Sequence, residues 1–291
     1  MSRRRVKVVA GVLVFAGIVF AVFYESAPES IPLPNPNGYD DLVSAGRKLP
    51  AMPVTPTAFW DMSPEQLRPL VAQCEQAFTL ARVGMERECR VPIEYNRDYQ
   101  QKALLDTMAF KTLAQAMSAA GRLAELENRP EAAARLYMDM IKIGHCTTTG
   151  GMAINALSNG SNEEYGVGKL DSIRLKLDAQ QCKQAARFLE EMEAKRETLE
   201  VFFQREKAWN RQVQSMNERF RQIWETQQSK RIVTRQINQR TLKARKLMLA
   251  LAARAYELEH GRPPANASRL APEYLQAVPK DPVTGQELTW P

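Results

Sequence analysis

From Pro64 to His260 the apolar residues recur at intervals of three and four, the spacing that gathers side chains onto one face of an α-helix. The period is almost entirely helical, so the expected fold class is mainly all-α. Ser63-Pro64-Glu65 offers a cap, a proline at the first helical position and a carboxylate in the first turn. Leu67, Leu70, Val71, Cys74 and Phe78 then form one stripe of a first helix. A second helix is expected from Asp98 to Glu127. Asn128-Arg129-Pro130 ends it, and a third begins at Pro130 with Glu131 beside it, giving an antiparallel hairpin. Gly150-Gly151 and Asn159-Gly160-Ser161-Asn162 predict that the helix between them is short or bent. Asp178 caps a long helical stretch reaching His260, with Ala185, Leu189, Met192 and Leu199 as its stripe. Heptad spacing fails near Arg211 to Ser215, so two consecutive helices are expected there. In the tail Leu247, Leu251, Ala255 and Leu258 continue the period until His260-Gly261 and Pro263-Pro264 stop it. A short helix capped by Ser268, with Leu270, Tyr274 and Leu275 as its contacts, precedes turn chemistry at Val278-Pro279-Lys280-Asp281-Pro282 and Thr284-Gly285. Leu288 and Trp290 suit one edge of a small hairpin.

The N-terminus reads differently. Arg3-Arg4-Arg5 and Lys7 precede an uncharged, mostly apolar run from Val8 to Tyr24. A bilayer core of about 30 Å takes roughly 17 to 25 such residues, so the run suits a short transmembrane helix whose basic flank stays cytoplasmic. A cleaved signal peptide is the rival, but no A-x-A pattern follows Tyr24. The expected location is therefore the inner, cytoplasmic membrane, crossed once, with the bulk of the chain on the far side. Residues 25–62 carry Pro28, Pro32, Pro34, Pro36, Pro50, Pro53 and Pro56 and read as an extended stalk, in which Tyr39-Asp40-Asp41-Leu42-Val43 starts a short amphipathic piece that docks on the body. The expected organisation is a basic flank and anchor over 1–24, the stalk over 25–62, a helical-hairpin body over 63–176, long basic helices over 177–241 and a turn-rich module over 242–291.

Export makes disulfides permissible, and Cys74, Cys89, Cys146 and Cys182 allow three pairings. None has C-x-x-C spacing, and with His145 and His260 the only histidines, no zinc site is expected. His145-Cys146 places a base beside a nucleophile, but adjacent helical residues diverge. Between Arg205 and Lys246 there are twelve Lys and Arg against three Glu, an excess of nine that is larger than the net charge of +7 for the whole chain. Arg219, Lys230, Arg231, Arg235, Arg240 and Lys243 are the candidate surface for a polyanion or an acidic partner, with Trp209, Phe220 and Trp224 interleaved. The alternative is a solvated helix face whose aromatics point inward. Nucleic acid is not the expected partner of an exported chain.

Three resemblances follow. Gly121, Ala133 and Tyr137, with Asn128 at the turn, resemble one tetratricopeptide unit, although no second copy follows at a 34-residue period. Tyr256-Glu257-Leu258-Glu259-His260-Gly261-Arg262-Pro263-Pro264, the spaced Leu270 and Tyr274-Leu275, then Val278 to Pro282 and Gly285 are similar to the end of the globular head of type II secretion pseudopilins. In major pseudopilins a loop here binds calcium. Asp281 is the only acidic residue between Glu273 and Glu287, too few carboxylates for such a site, and no cofactor is expected. The whole arrangement, including Asn37-Gly38-Tyr39-Asp40-Asp41-Leu42, resembles a family of single-anchor bacterial membrane proteins, which implies an anchored topology and no particular activity.

The expected function is that of a non-enzymatic, membrane-anchored envelope protein acting as a scaffold or interaction module on an envelope protein partner. An exported hydrolase is the alternative, for which Glu163-Glu164 and Glu190-Glu191 are the available carboxylate pairs. Neither G-x-S-x-G nor H-E-x-x-H is present.

Overall fold

The computed structural model describes residues 32–50, 52, 58–214 and 216–289, leaving aside the side chains of residues 58 and 216–229. The expected anchor Val8–Tyr24 lies outside these residues, as do 25–31, 51 and 53–57 of the expected stalk and Trp290. Among the described residues the fold is all-α, with no strand beyond an isolated antiparallel bridge between Lys280 and Glu287. No helix among them is long and apolar enough to cross a membrane.

Among the described residues nine α-helices follow in order: α1 (Gly38–Arg47), α2 (Pro64–Ala72), α3 (Glu75–Glu86), α4 (Tyr99–Leu126), α5 (Pro130–Cys146), α6 (Ala153–Ile173), α7 (Ala179–Ala194), α8 (Leu199–Val213) and α9 (Met216–His260). The α4–α5 hairpin is present, and Asn128 makes its turn in the left-handed region at φ 54°. Gly121 lies against the Tyr137 ring, where an added Cβ would come within 2.4 Å of the ring carbons. Helix α1 inserts against α3 and α4, burying Tyr39 and Leu42, each such side chain contributing about 1.5–3 kcal/mol. Its cap, Asn37, accepts from Tyr39 N at 3.2 Å and from Arg90 N at 3.0 Å, which fixes the helix to the segment after α3. The amphipathic piece expected within the stalk thus docks as anticipated, and 37–47 form part of the body rather than an extended spacer.

Three local expectations need correction. The first stripe is two helices, because Cys74 N bonds back to Val71 O at 2.9 Å, a tightened turn that bends the chain between α2 and α3. Asn159-Gly160-Ser161-Asn162 lies inside one continuous 21-residue helix. Asn159 is buried and engaged across the core: its Oδ1 accepts from Thr107 at 3.0 Å and its amide donates to Thr147 O at 3.0 Å, so tertiary bonds override the turn propensity. The stretch after Asp178 is three helices, not two. The break near Arg211 to Ser215 falls at Gln214, and a second one lies at Lys195–Thr198.

Asp178 caps α7 reciprocally with Gln181, at 2.8 and 3.1 Å. Helix α9 runs without interruption through residue 242 and ends at Gly261, whose φ is 69°. In the tail the cap of the short 3₁₀ turn Ala267–Leu270 is Asn266, not Ser268: its side chain accepts from Arg269 N at 3.2 Å. Leu270, Tyr274 and Leu275 are buried against α7 and α9. Asp281 closes the following turn by accepting from Val283 N and Thr284 N at 2.7 and 2.9 Å.

Candidate functional site

Helix α9 carries the basic residues along its length, but the structure sorts them into two groups. Arg240 points inward. Its guanidinium donates to Glu164 at 3.1 Å and to the carbonyls of Ala156 and Leu157 at 3.1 and 2.9 Å, joining α9 to α6. Lys243 pairs with the same carboxylate. Burial works against the Glu164 charge, but the bonds from Lys243 and Arg240 outweigh it and hold the carboxyl below the usual range. Arg245 binds Glu193 and the carbonyl of Lys280, so it fixes α7 and the tail turn rather than facing a ligand.

Lys230, Arg231 and Arg235 form the second group. All three are exposed, and among the described residues no carboxylate forms a salt bridge with them. Lys230 lies 5.1 Å from the Phe203 ring centroid, a cation–π contact, and within the electrostatic reach of Glu206. With Thr234, Asn238, Leu242 and Val283 they line a shallow depression of about 640 Å³. Arg219 belongs to α9 but lies among the residues whose side chains are not described, as do Phe220 and Trp224. Trp209 is buried and donates to Glu94 O at 2.8 Å, so this aromatic points into the core. The five candidate cations whose side chains are described therefore do not converge as one patch: Arg240 and Lys243 are tied to Glu164, and Lys230, Arg231 and Arg235 remain together.

A larger groove of about 1100 Å³ lies between α6, α9 and the end of the tail. Leu247, Ala250 and Leu288 supply its apolar wall, and Lys169, Arg174, Lys243 and Lys246 its cations. Lys169 sits 3.3 Å from the centroid of the Trp60 ring, and Arg174 pairs with Asp171. Lys246, absent from the sequence-based set, lies within the electrostatic reach of Asp281.

The third cluster is a cleft of about 30 Å³ where α5, α6, α8 and α9 meet, lined among others by His145, Glu163, Arg196, Glu197 and Phe202. Arg196 grips Glu163 with both terminal nitrogens and donates to Glu193 at 3.0 Å. Glu197 accepts from Gly150 N at 2.8 Å and from Arg205 at 2.9 Å. Burial opposes its ionisation, but the bonds from Arg205 and Gly150 prevail and lower its pKa. Burial likewise lowers His145, keeping the imidazole neutral against the pull of Glu163. This space holds about one water, and its charged groups already face one another. Sequence gave no sign of the Glu163–Arg196 pair, because its members lie on different helices and share no local motif.

The carboxylate pairs considered for hydrolysis diverge. Glu163 faces Arg196 while Glu164 faces α9, and Glu190 accepts from Gln276 N at 2.8 Å. His145 and Cys146 likewise part, the imidazole toward the Glu163 cleft and the thiol toward Cys89. Among the described residues no three His, Cys, Asp or Glu come together as metal ligands. No protein-family model, curated protein or solved structure matches the chain.

Proposed function

We propose that this chain is a non-enzymatic, membrane-tethered helical module of the cell envelope that holds an acidic partner protein against the outward face of α9. One observation supports the reading above the others: among the described residues Lys230, Arg231 and Arg235 stay exposed with no carboxylate in salt-bridge contact, whereas Arg196, Arg205, Arg240 and Arg245 are all paired. Guanidinium forks favour bidentate carboxylates. The surrounding Thr234, Asn238, Leu242 and Val283 give a partner directional and apolar contacts that a featureless charged polymer would not use. The uncharged run Val8–Tyr24 supplies the tether.

The test compares partners cross-linked to the wild-type chain in intact cells with those cross-linked to an Arg231→Gln, Arg235→Gln variant. The expected result is a partner of acidic surface charge that is lost from the variant and that dissociates as salt rises from 50 to 300 mM, over about the range in which exposed charges become screened. An unchanged partner set in the variant overturns the reading.

A further inference from the structure

Four thiols lie in the described core, and two of them belong to segments packed together. Cys89 follows α3 and Cys146 is the last residue of α5; both lie in one buried cluster, each influences the ionisation of the other, and the Cys89 thiol donates to Gly84 O at 3.5 Å. Both are buried. The backbones that carry them are already joined: Val91 N donates to Thr149 O at 2.9 Å, just beyond the two cysteines. On the other side Gly38 N donates to Glu88 O at 3.0 Å, so the Cys89 segment is held on both flanks. Cys74 and Cys182 are placed differently. Their thiols donate to Leu70 O at 3.2 Å and Arg174 O at 3.8 Å, burial pushes each up to about 11, and neither feels a second thiol beside it as Cys89 and Cys146 do.

We propose that Cys89 and Cys146 are joined by a disulfide in the exported protein, bracing the α3–α4 connection against the end of α5, while Cys74 and Cys182 stay as thiols. The bridge rests on the exported topology proposed above and selects one of the three pairings. A disulfide-bearing envelope oxidant supplies the chemistry. One cysteine thiolate attacks an oxidant sulfur, forming a mixed disulfide and releasing one oxidant thiolate. The second cysteine, losing its proton, then attacks the protein sulfur of that mixed disulfide, and the other oxidant sulfur leaves. Two protein thiols are oxidised and one oxidant disulfide is reduced to two thiols.

The full-length chain, purified in detergent and equilibrated with mixtures of oxidised and reduced glutathione, is alkylated and digested. A single cross-linked pair containing Cys89 and Cys146 is expected, with Cys74 and Cys182 alkylated. Reduction should lower Tm by about 5–15 °C in the wild type and leave a Cys89→Ser, Cys146→Ser variant unmoved. A different pairing, or none even under fully oxidising conditions, overturns the proposal. In cells lysed into alkylating agent, the same bridge supports it. Free Cys89 and Cys146 in a protein whose Lys280 reacts with a membrane-impermeant label overturn the bridge with export intact. Free thiols with Lys280 shielded overturn export itself, and the bridge in cells with it.

Discussion

Arg196 and Arg231 carry the same guanidinium and serve opposite ends. Around Arg196, where α5, α6 and α8 meet, each charge has a designated counter-charge and little water reaches it. Around Arg231, on the outer face of α9, cations gather and, among the described residues, no carboxylate forms a salt bridge with them. The difference shows that charge density alone does not define a binding face. A paired arginine is a structural cross-link, and removing one half of it leaves an isolated charge in a medium that solvates it poorly. An exposed, unpaired arginine adds almost nothing to the fold, so its presence needs another reason.

Four variants test this contrast, beginning with the largest effect. Glu163→Ala removes the two-pronged partner of Arg196, leaving it Glu193 alone, and should lower the unfolding free energy by about 3 kcal/mol, measured by chemical denaturation. A loss below 1 kcal/mol would place the Arg196 junction in the same class as the outer face. Gly144→Ala tests the backbone contact on which that junction stands, since an added Cβ would lie 2.6 Å from Glu163 N. The expected cost is about 2–3 kcal/mol, because the neighbour is main chain that cannot rotate away. Glu197→Gln should cost about 2 kcal/mol at neutral pH. Its sign with pH is fixed. The folded carboxyl ionises below its unfolded value, so its stabilisation is complete above the ordinary glutamate pKa of about 4.3 and is lost as pH falls through the lower folded value. The variant should therefore lose less stability than the wild type across that acid window. Last, Arg231→Gln with Arg235→Gln should change stability by no more than about 0.5 kcal/mol in thermal or denaturant unfolding. A larger loss would mean that the outer face is structural after all.

What the sequence made legible was local. Ser63-Pro64, Pro130, Asp178 and Gly261 mark helix ends by chemistry contained within four or five residues, and the structure has ends at each of them. The errors arose where distant partners decide. Asn159 belongs in a turn by propensity and in a helix once Thr107 and the Thr147 carbonyl engage its side chain, and neither partner is visible from its neighbours. The break at Lys195–Thr198 carries no glycine or proline, and it sits where Arg196 and Glu197 turn toward Glu163, Gly150 and Arg205. The candidate site shows the same limit. Counting charges located the basic stretch, but separating Arg240 from Arg231 requires knowing that Glu164 lies across from only one of them.

Helix α9 has 45 residues in one unbroken segment, about 68 Å of rigid rod. Its later half is clamped by α7, α6 and the tail turn, and its earlier half carries Arg231 and Arg235. A grip on the outer face is thus a hold on a lever whose fulcrum is the folded body. Force applied there reaches the tail at once, without passing through any loop.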